Sequence, residues 1–524
     1  IGFSEYNYDF MLNYNTDITE KLNLKGVVGV NIRRSYYNSI FAATNGGLAI
    51  PKLYSLQNTV SPLLAPVERD EAIGVDGLYG SASFGYEDYL FLEGTIRRDH
   101  SSTLPEANST YYYPSVSTSF VFSKFVKADW LSFGKIRLNY AEVGNSPDFD
   151  RVLDTYAVNT AFGAASASVK DTKNNPNLKP ERTKSYEAGL ELSFFKKRLG
   201  FDFSYYKSNS IDQIIPLRLT ASTGYLYELI NAGEIENKGI EITLNGTPIK
   251  TDTFSWEVNL NFARNRNKVL DLLDGIDNLQ LGSFQGGVTV NAAVGQPYGV
   301  IYGTKYTYLN GQRVVDPSNG QYIKTSTSDN AIGNANPDYT GGLNNKFTYK
   351  NFSLEFLIDM QKGGQIFSLD RYYGLATGLP DDTAYLNELG NPIRNPLTSG
   401  PDSGGFINPG VNPDGTVNTT RIEASRFGAQ GYRRGLPDEA FVYDASYIKL
   451  RQTAITYSLP EKVLKNTFMN GMTFSVVGTN LWIIHKNLPD ADPESGLGAG
   501  NLQGYSTGSL PSTRDISFNI KIQF

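Results

Sequence analysis

A chain of 524 residues is long for one ordinary globular domain. It has no Cys and only two His, His100 and His485, so disulfides and thiolate metal sites are excluded and no ligand-spaced His pair exists. The formal charge of −6 argues against a nucleic-acid partner.

No apolar run reaches the roughly eighteen residues of a membrane helix. The mean hydropathy of −0.32 is instead compatible with strands that are apolar on one face only. In chain order, Tyr6, Tyr8, Phe10, Leu12 and Tyr14 alternate with polar or small residues. Leu22, Leu24, Val28, Val30 and Ile32 follow, with further strands predicted near 75–86, 89–98, 112–122 and 133–143. Tyr186, Ala188, Leu190, Leu192 and Phe194 then oppose Glu187, Gly189, Glu191 and Ser193. Phe201, Phe203 and Tyr205 continue the pattern, as do Ile240, Ile242 and Leu244. Trp256, Val258, Leu260 and Phe262 oppose Glu257, Asn259 and Asn261. Later strands are predicted near 341–350, 352–361, 446–457 and 472–482. The last runs to Phe524, with Ile516, Phe518, Ile520 and Ile522 on one face and Ser517, Asn519, Lys521 and Gln523 on the other.

Strands of about ten residues cross a bilayer when tilted. Short connections are expected after Asn15, Tyr86, Phe122, Phe195, Asn245, Lys350 and Leu459. Long ones are expected near 34–74, 144–183, 209–236, 265–340, 362–445 and 483–513, with a shorter one at 99–111. Sorting loops by length is the topology of an outer-membrane barrel, with short periplasmic turns and long extracellular loops. Val300 to Leu309 is strand-like, but counting it as a crossing would invert every later turn, so it belongs inside the 265–340 loop. About fifteen crossing strands remain. Single-chain bacterial barrels have an even number, so an odd count implies strands supplied from elsewhere.

Several segments resemble a known family. They are Asn175 to Thr183, Asp202 to Lys207, Asn231 to Glu241, Arg97 to Ser102 with Tyr113 to Ser115, and Tyr447 to Arg451. Gly299 to Tyr302, Gly341 to Leu343 and Ser509 to Arg514 fit too, although the family more often has Gly where His100 stands. The order resembles the C-terminal barrel of SusC-like TonB-dependent transporters of Bacteroidetes outer membranes. The resemblance implies a plugged barrel of about 22 strands, of which roughly seven, the plug and the N-terminal domains lie outside residues 1–524. It implies import of oligosaccharides or peptides, coupled through TonB, beneath a SusD-like lipoprotein lid. It also implies contact with outer-membrane lipid, a dimer of transporter–lid pairs, and no cofactor or catalysis. Phe524 resembles the terminal aromatic that barrel-assembly machinery reads. Alternatives are a passive porin or barrel scaffold, an outer-membrane enzyme, and a soluble adhesin.

Ligand contacts are expected in the long loops. The 362–445 loop offers Tyr372, Tyr373, Tyr385, Phe406, Phe427 and Tyr432, which stack on a ligand or pack the loops together. Trp256 and Trp482 suit the aromatic girdle. Asp316 to Gly320 lacks the carboxylates of a calcium loop. Asp99, His100 and Ser101 are adjacent, so neighbours point to opposite faces and cannot form a triad. Asp492 and Glu494, near His485, are expected to be solvated, and Arg33-Arg34 and Arg433-Arg434 to lie at the surface.

Overall fold

A computed structural model of the chain describes residues 1–159, 166–424, 433, 435–465, 467–496, 500 and 502–524. Fifteen strands form one sheet in chain order. They are β1 (Gly2–Thr19), β2 (Leu22–Phe41), β3 (Val67–Tyr86), β4 (Leu90–Ser101), β5 (Thr110–Phe120), β6 (Leu131–Asn145), β7 (Glu181–Phe194) and β8 (Leu199–Ile211). After them come β9 (Glu234–Lys250), β10 (Phe254–Asp271), β11 (Pro337–Tyr349), β12 (Phe352–Gly363), β13 (Tyr447–Ser458), β14 (Gly471–Lys486) and β15 (Asp515–Gln523). β1 and β15 end the sheet, so the barrel wall is not closed within this chain.

The expected parity of turns and loops holds. Turns at 20–21, 87–89, 121–130, 195–198, 251–253, 350–351 and 459–470 alternate with the loops 42–66, 102–109, 146–180, 212–233, 272–336, 364–446 and 487–514, although 121–130 and 459–470 are longer than 102–109. Several boundaries move, however. The first long loop shrinks because β2 and β3 stay paired from Leu22↔Tyr86 out to Phe41↔Val67. Its flanks, such as Arg33 to Ser39, run past the apolar belt and lose strict alternation, so pattern alone stops too early. β1 likewise runs to Thr19 rather than Asn15, and β9 to Lys250 rather than Asn245. Val300–Gly303 is a strand of a separate four-stranded sheet with 278–283, 289–293 and 330–334, inside the loop as expected.

Two compact units divide the chain. One is Ile1–Phe125 with Lys135–Ala188 and Lys207–Glu234, and the other is Val126–Gly134 with Gly189–Tyr206 and Ile235–Phe524. In the first unit the register aligns Phe10, Val30 and Leu78 on one face. On the other face Asn13, Val27, Ser81, Thr95, Ser115 and Ala141 form a row. Thr95 and Ser115 share a 2.6 Å hydroxyl hydrogen bond there. Gly29 lies on this polar face under the Tyr79 ring. A Cβ would meet that ring at 2.4 Å, so only Gly lets Tyr79 lie flat beneath the Arg97 guanidinium.

In the second unit one outward row reads Trp256, Phe347, Leu354, Ile455, Val476, Phe518. The row beside it, on the opposite face, reads Glu257, Lys346, Glu355, Ala454, Val477, Ser517. Apolar residues therefore meet lipid and mostly polar ones meet a wet interior. Trp256 lies outward near the short-turn end of β10, and its Nε1 donates to Asn345 Oδ1 at 3.1 Å, satisfying a buried outward amide. Trp482 is outward and exposed near the long-loop end of β14. Rings also crowd the short-turn ends within each unit: Tyr89 against Phe125 at 4.7 Å, and Phe352 against Tyr457 at 4.5 Å. Both levels match the interfacial belts of a membrane barrel.

A charge on the outward face should be costly and one on the inward face tolerated. Val28→Arg is expected to lower stability by about 2–4 kcal/mol near the midplane. Ser81→Arg, one strand over and inward, should cost less than about 1 kcal/mol. Urea titration of refolding into lipid vesicles measures both.

Candidate functional site

In the second unit the buried core lies in the loops rather than in the strands. Val288, Ile301, Ile332, Phe367, Leu375, Phe441 and Tyr505 form its centre. Phe367 stacks on Tyr505 at 5.4 Å, and Tyr505 on Phe284 at 4.4 Å. These residues come from 272–336, 364–446 and 487–514, so three loops fold as one body. Helix α1 (Leu369–Thr377) begins where the Ser368 hydroxyl accepts from Arg371 N at 3.2 Å, and ends at Gly378 with φ 78°. Its buried Arg371 pairs with Asp382 and, at 2.8 Å, with Asp490.

The loop 487–514 is tied to the inner face of the wall. Lys449 on β13 is opposite Asp359 on β12. Its Nζ donates to Asp492 Oδ1 at 2.6 Å and also to Glu494. Lys449 and Asp492 are only 3% and 7% exposed. Arg451 is the extra residue of a bulge between Leu450 and Gln452. Its guanidinium bridges Asp359 to Glu494, gripping both oxygens of Glu494 at 2.8 and 3.0 Å. Tyr447 donates to Glu494 at 3.1 Å, and Ser512 to Asp492 at 2.7 Å. Asp492 is thus buried rather than solvated as expected, whereas Glu494 stays exposed to solvent but is held in ion pairs. Burial would push both carboxyls up, but the opposing contacts outweigh it and hold both below the ordinary carboxylate value. Those contacts are Lys449, the Glu494 amide and Ser512 for Asp492, and Arg451 and Lys449 for Glu494.

The candidate aromatics separate. Tyr373 is 48% exposed and Tyr385 43%. Tyr372 packs edge-on against Phe441 at 5.0 Å and carries the Arg433 guanidinium over its ring at 4.3 Å. Arg433 is therefore packed against a ring, not free at the surface. Phe406 is 4% exposed among Ile393, Ile422 and Ala424, so it is a packing residue and offers no surface to a ligand. Tyr432, Phe427 and Arg434 lie outside the described residues. Asp316 folds back on its own turn, accepting from Ser318 N and Asn319 Nδ2 at 2.9 Å. Asp99 accepts from Tyr113 and Arg97, whereas His100 turns to Thr110, so the two do not meet.

The first unit has two cavities that periodicity did not reveal. One of about 450 Å³ is lined by Tyr111, Tyr113, Glu142, Lys179, Arg182 and Asp212. Another of about 430 Å³ is lined by Asn145, Asp148, Arg151, Thr172 and Glu181. Both sit at the long-loop ends of the strands and are lined by charged groups of either sign, with tyrosine rings in the first only.

An outward apolar face, an inward polar face and a folded loop body tied to the inner wall define an outer-membrane transport barrel. The chain belongs to the TonB dependent receptor-like β-barrel family, whose model matches residues 2–384. TonB-dependent receptor P26 of Formosa agariphila is 25% identical, over 99% of this chain and 53% of that protein. TonB-dependent receptor SusC of Bacteroides thetaiotaomicron is 27% identical, over 78% of this chain and 40% of that protein. A solved RagAB peptide transporter shares the fold, with a TM-score of 0.78 at 19% identity, over 100% of this chain and 56% of that one. The chain spans about half the length of the curated relatives it matches. It is SusC-like, and its place is the outer membrane.

Removing Lys449 should free the 487–514 loop. Lys449→Met leaves Asp492 buried without its cation, a loss of about 3–5 kcal/mol locally. Amide hydrogen exchange over 487–496 should accelerate by at least tenfold, and less in Lys449→Met/Asp492→Asn. Because both carboxyls are depressed in the folded state, their stabilisation is complete above about pH 4 and is lost as pH falls through the folded values. Protease cleavage of the loop should be flat from pH 7 to 5 and rise only below about 4.

Proposed function

We propose that residues 1–524 form the wall and extracellular loops of an active importer of oligosaccharides or peptides. On this reading the remaining strands and a plug complete the barrel wherever they are encoded, and TonB drives the plug. A SusD-like lipoprotein covers the loops, and two transporter–lid pairs associate. The observation that carries the reading is the loop body fastened to the inner wall through Lys449, Arg451 and Asp359. A passive pore has no need of a folded body anchored over its lumen. The likeness to SusC and to the RagAB fold supports the same reading. Tyr373 and Tyr385 are its ligand-stacking candidates, with Tyr372 as their packing support.

Uptake of the ligand recovered with the purified complex should cease when TonB is deleted. Continued uptake without TonB would favour the porin alternative. Tyr373→Ala and Tyr385→Ala should each weaken ligand binding by about 0.5–1.5 kcal/mol by calorimetry. Phe406→Ala should instead unfold the loop body, at about 3–5 kcal/mol.

Phe524 is proposed as the assembly signal. Its ring stacks on Phe468 at 5.7 Å. Phe524→Ser should reduce the amount of assembled protein in outer-membrane fractions several-fold. Phe468→Ala, which removes only the stack, should leave it near wild type.

A further inference from the structure

The outward face of the first unit changes character toward the long-loop end. Below lie Val28, Leu78, Ile96, Val116 and Leu138, all exposed and apolar. Farther along their strands than Val28, Ile96, Val116 and Leu138, on the same parity, come Arg34, Arg98, Arg182 and Lys184, set among Tyr6, Tyr112 and Tyr186, with Arg98 level with Leu78 across the ladder. The register fixes this side for Arg34 and Arg98, because Arg34 is opposite Tyr6, and Arg98 is opposite Leu78 and Tyr112. For β7 the inward side is fixed by Glu187, which accepts from the inward Arg137 at 3.3 Å, so Arg182, Lys184 and Tyr186 face outward.

The compensation of these cations is incomplete. Arg34 pairs with Asp76 at 2.8 Å, and Arg182 with Glu142. Arg98 has no ion pair among the described residues. Among the described residues Lys184 has no ion pair, only the through-space attraction of Glu142, which already binds Arg182 and accepts from Tyr140 at 2.5 Å. Of these four cations Arg34 and Arg182 are paired, whereas Arg98 and Lys184 have no ion pair among the described residues; Glu68 and Asp70 share the outward parity farther along β3. Long cationic side chains beside an apolar belt extend to the headgroup level, where anionic lipid attracts them. Tyrosines between them present hydroxyls at the same depth.

We propose that this rim seats an anionic, phosphate-bearing lipid headgroup of the outer leaflet, with Arg98 and Lys184 as its phosphate contacts and Tyr112 and Tyr186 beside it. The surface is on the lipid side of the wall, so it is independent of the ligand that crosses the lumen. The test uses protein purified from its own membrane and reconstituted in phosphatidylcholine nanodiscs with or without diphosphorylated lipid A. Lipid carried through detergent extraction is read by native mass spectrometry. Wild type should retain lipid A and lose phosphatidylcholine. Retention should fall at least fivefold in Arg98→Gln/Lys184→Gln, and survive in Arg98→Lys/Lys184→Arg and in the inward control Lys25→Gln. Should the double variant not fold, the single variants are read, each with an intermediate loss. Equal retention of the two lipids by wild type, or undiminished lipid A on the neutralised variants, would overturn the assignment. So would release of lipid A by millimolar inorganic phosphate, since that ligand needs no membrane.

Discussion

A strand crossing a bilayer finds no water for its backbone, so every N–H and C=O must pair with a neighbouring strand. The uninterrupted ladder from Leu22↔Tyr86 to Phe41↔Val67 is this requirement in its longest form. Once pairing is obligatory, register is too, because a slip of one residue would exchange the two faces. Six strands agree on one outward row from Trp256 to Phe518, and the row beside it holds Glu257, Lys346, Glu355 and Ser517. The wall is therefore determined by parity more than by side-chain interlocking. Its apolar residues remain exposed to lipid instead of forming a core.

The core appears where water returns. Above the second unit's strands the loops must bury apolar surface in the ordinary way, and Phe367, Phe441 and Tyr505 do so. A body folded by hydrophobic burial then has to be held in a fixed place over a wall ordered by parity. The Lys449, Arg451, Asp359, Asp492 and Glu494 network does this with charges, which demand specific partners. A buried pair of this kind gives modest net stability but tolerates no substitute arrangement. That suits an element whose position matters more than its strength.

Much of the wall was legible because period two survives in sequence wherever one face meets lipid. Trp256 to Phe262 and Ile516 to Phe524 were readable for that reason. Legibility stopped where strands rise past the apolar belt, as at Arg33 to Ser39, where neither face carries an unbroken apolar row. The loop body was harder still. Asp492-Pro493-Glu494 has the composition of a solvated turn, and nothing local indicates that Lys449, far off in the chain, will bury against it. Phe406 and Tyr373 are both loop aromatics in sequence, and only tertiary packing makes one core and the other surface.

The placement of charge closes the account of the wall. Within a wet lumen an unpaired charge is inexpensive, because water solvates it. Yet on the inner face Arg97 is paired with Asp99, Arg137 with Glu187, and Lys449 with Asp492. At the lipid rim, where solvation is poorer, Arg98 has no ion pair among the described residues. Pairing inside has a mechanical use, since each bond fixes a side chain or a loop against the channel. An unpaired cation outside has none unless the second charge arrives with the membrane. On the reading proposed above, the pairs of the inner face fix its side chains and a loop against the channel, and the surrounding leaflet supplies the partner of Arg98.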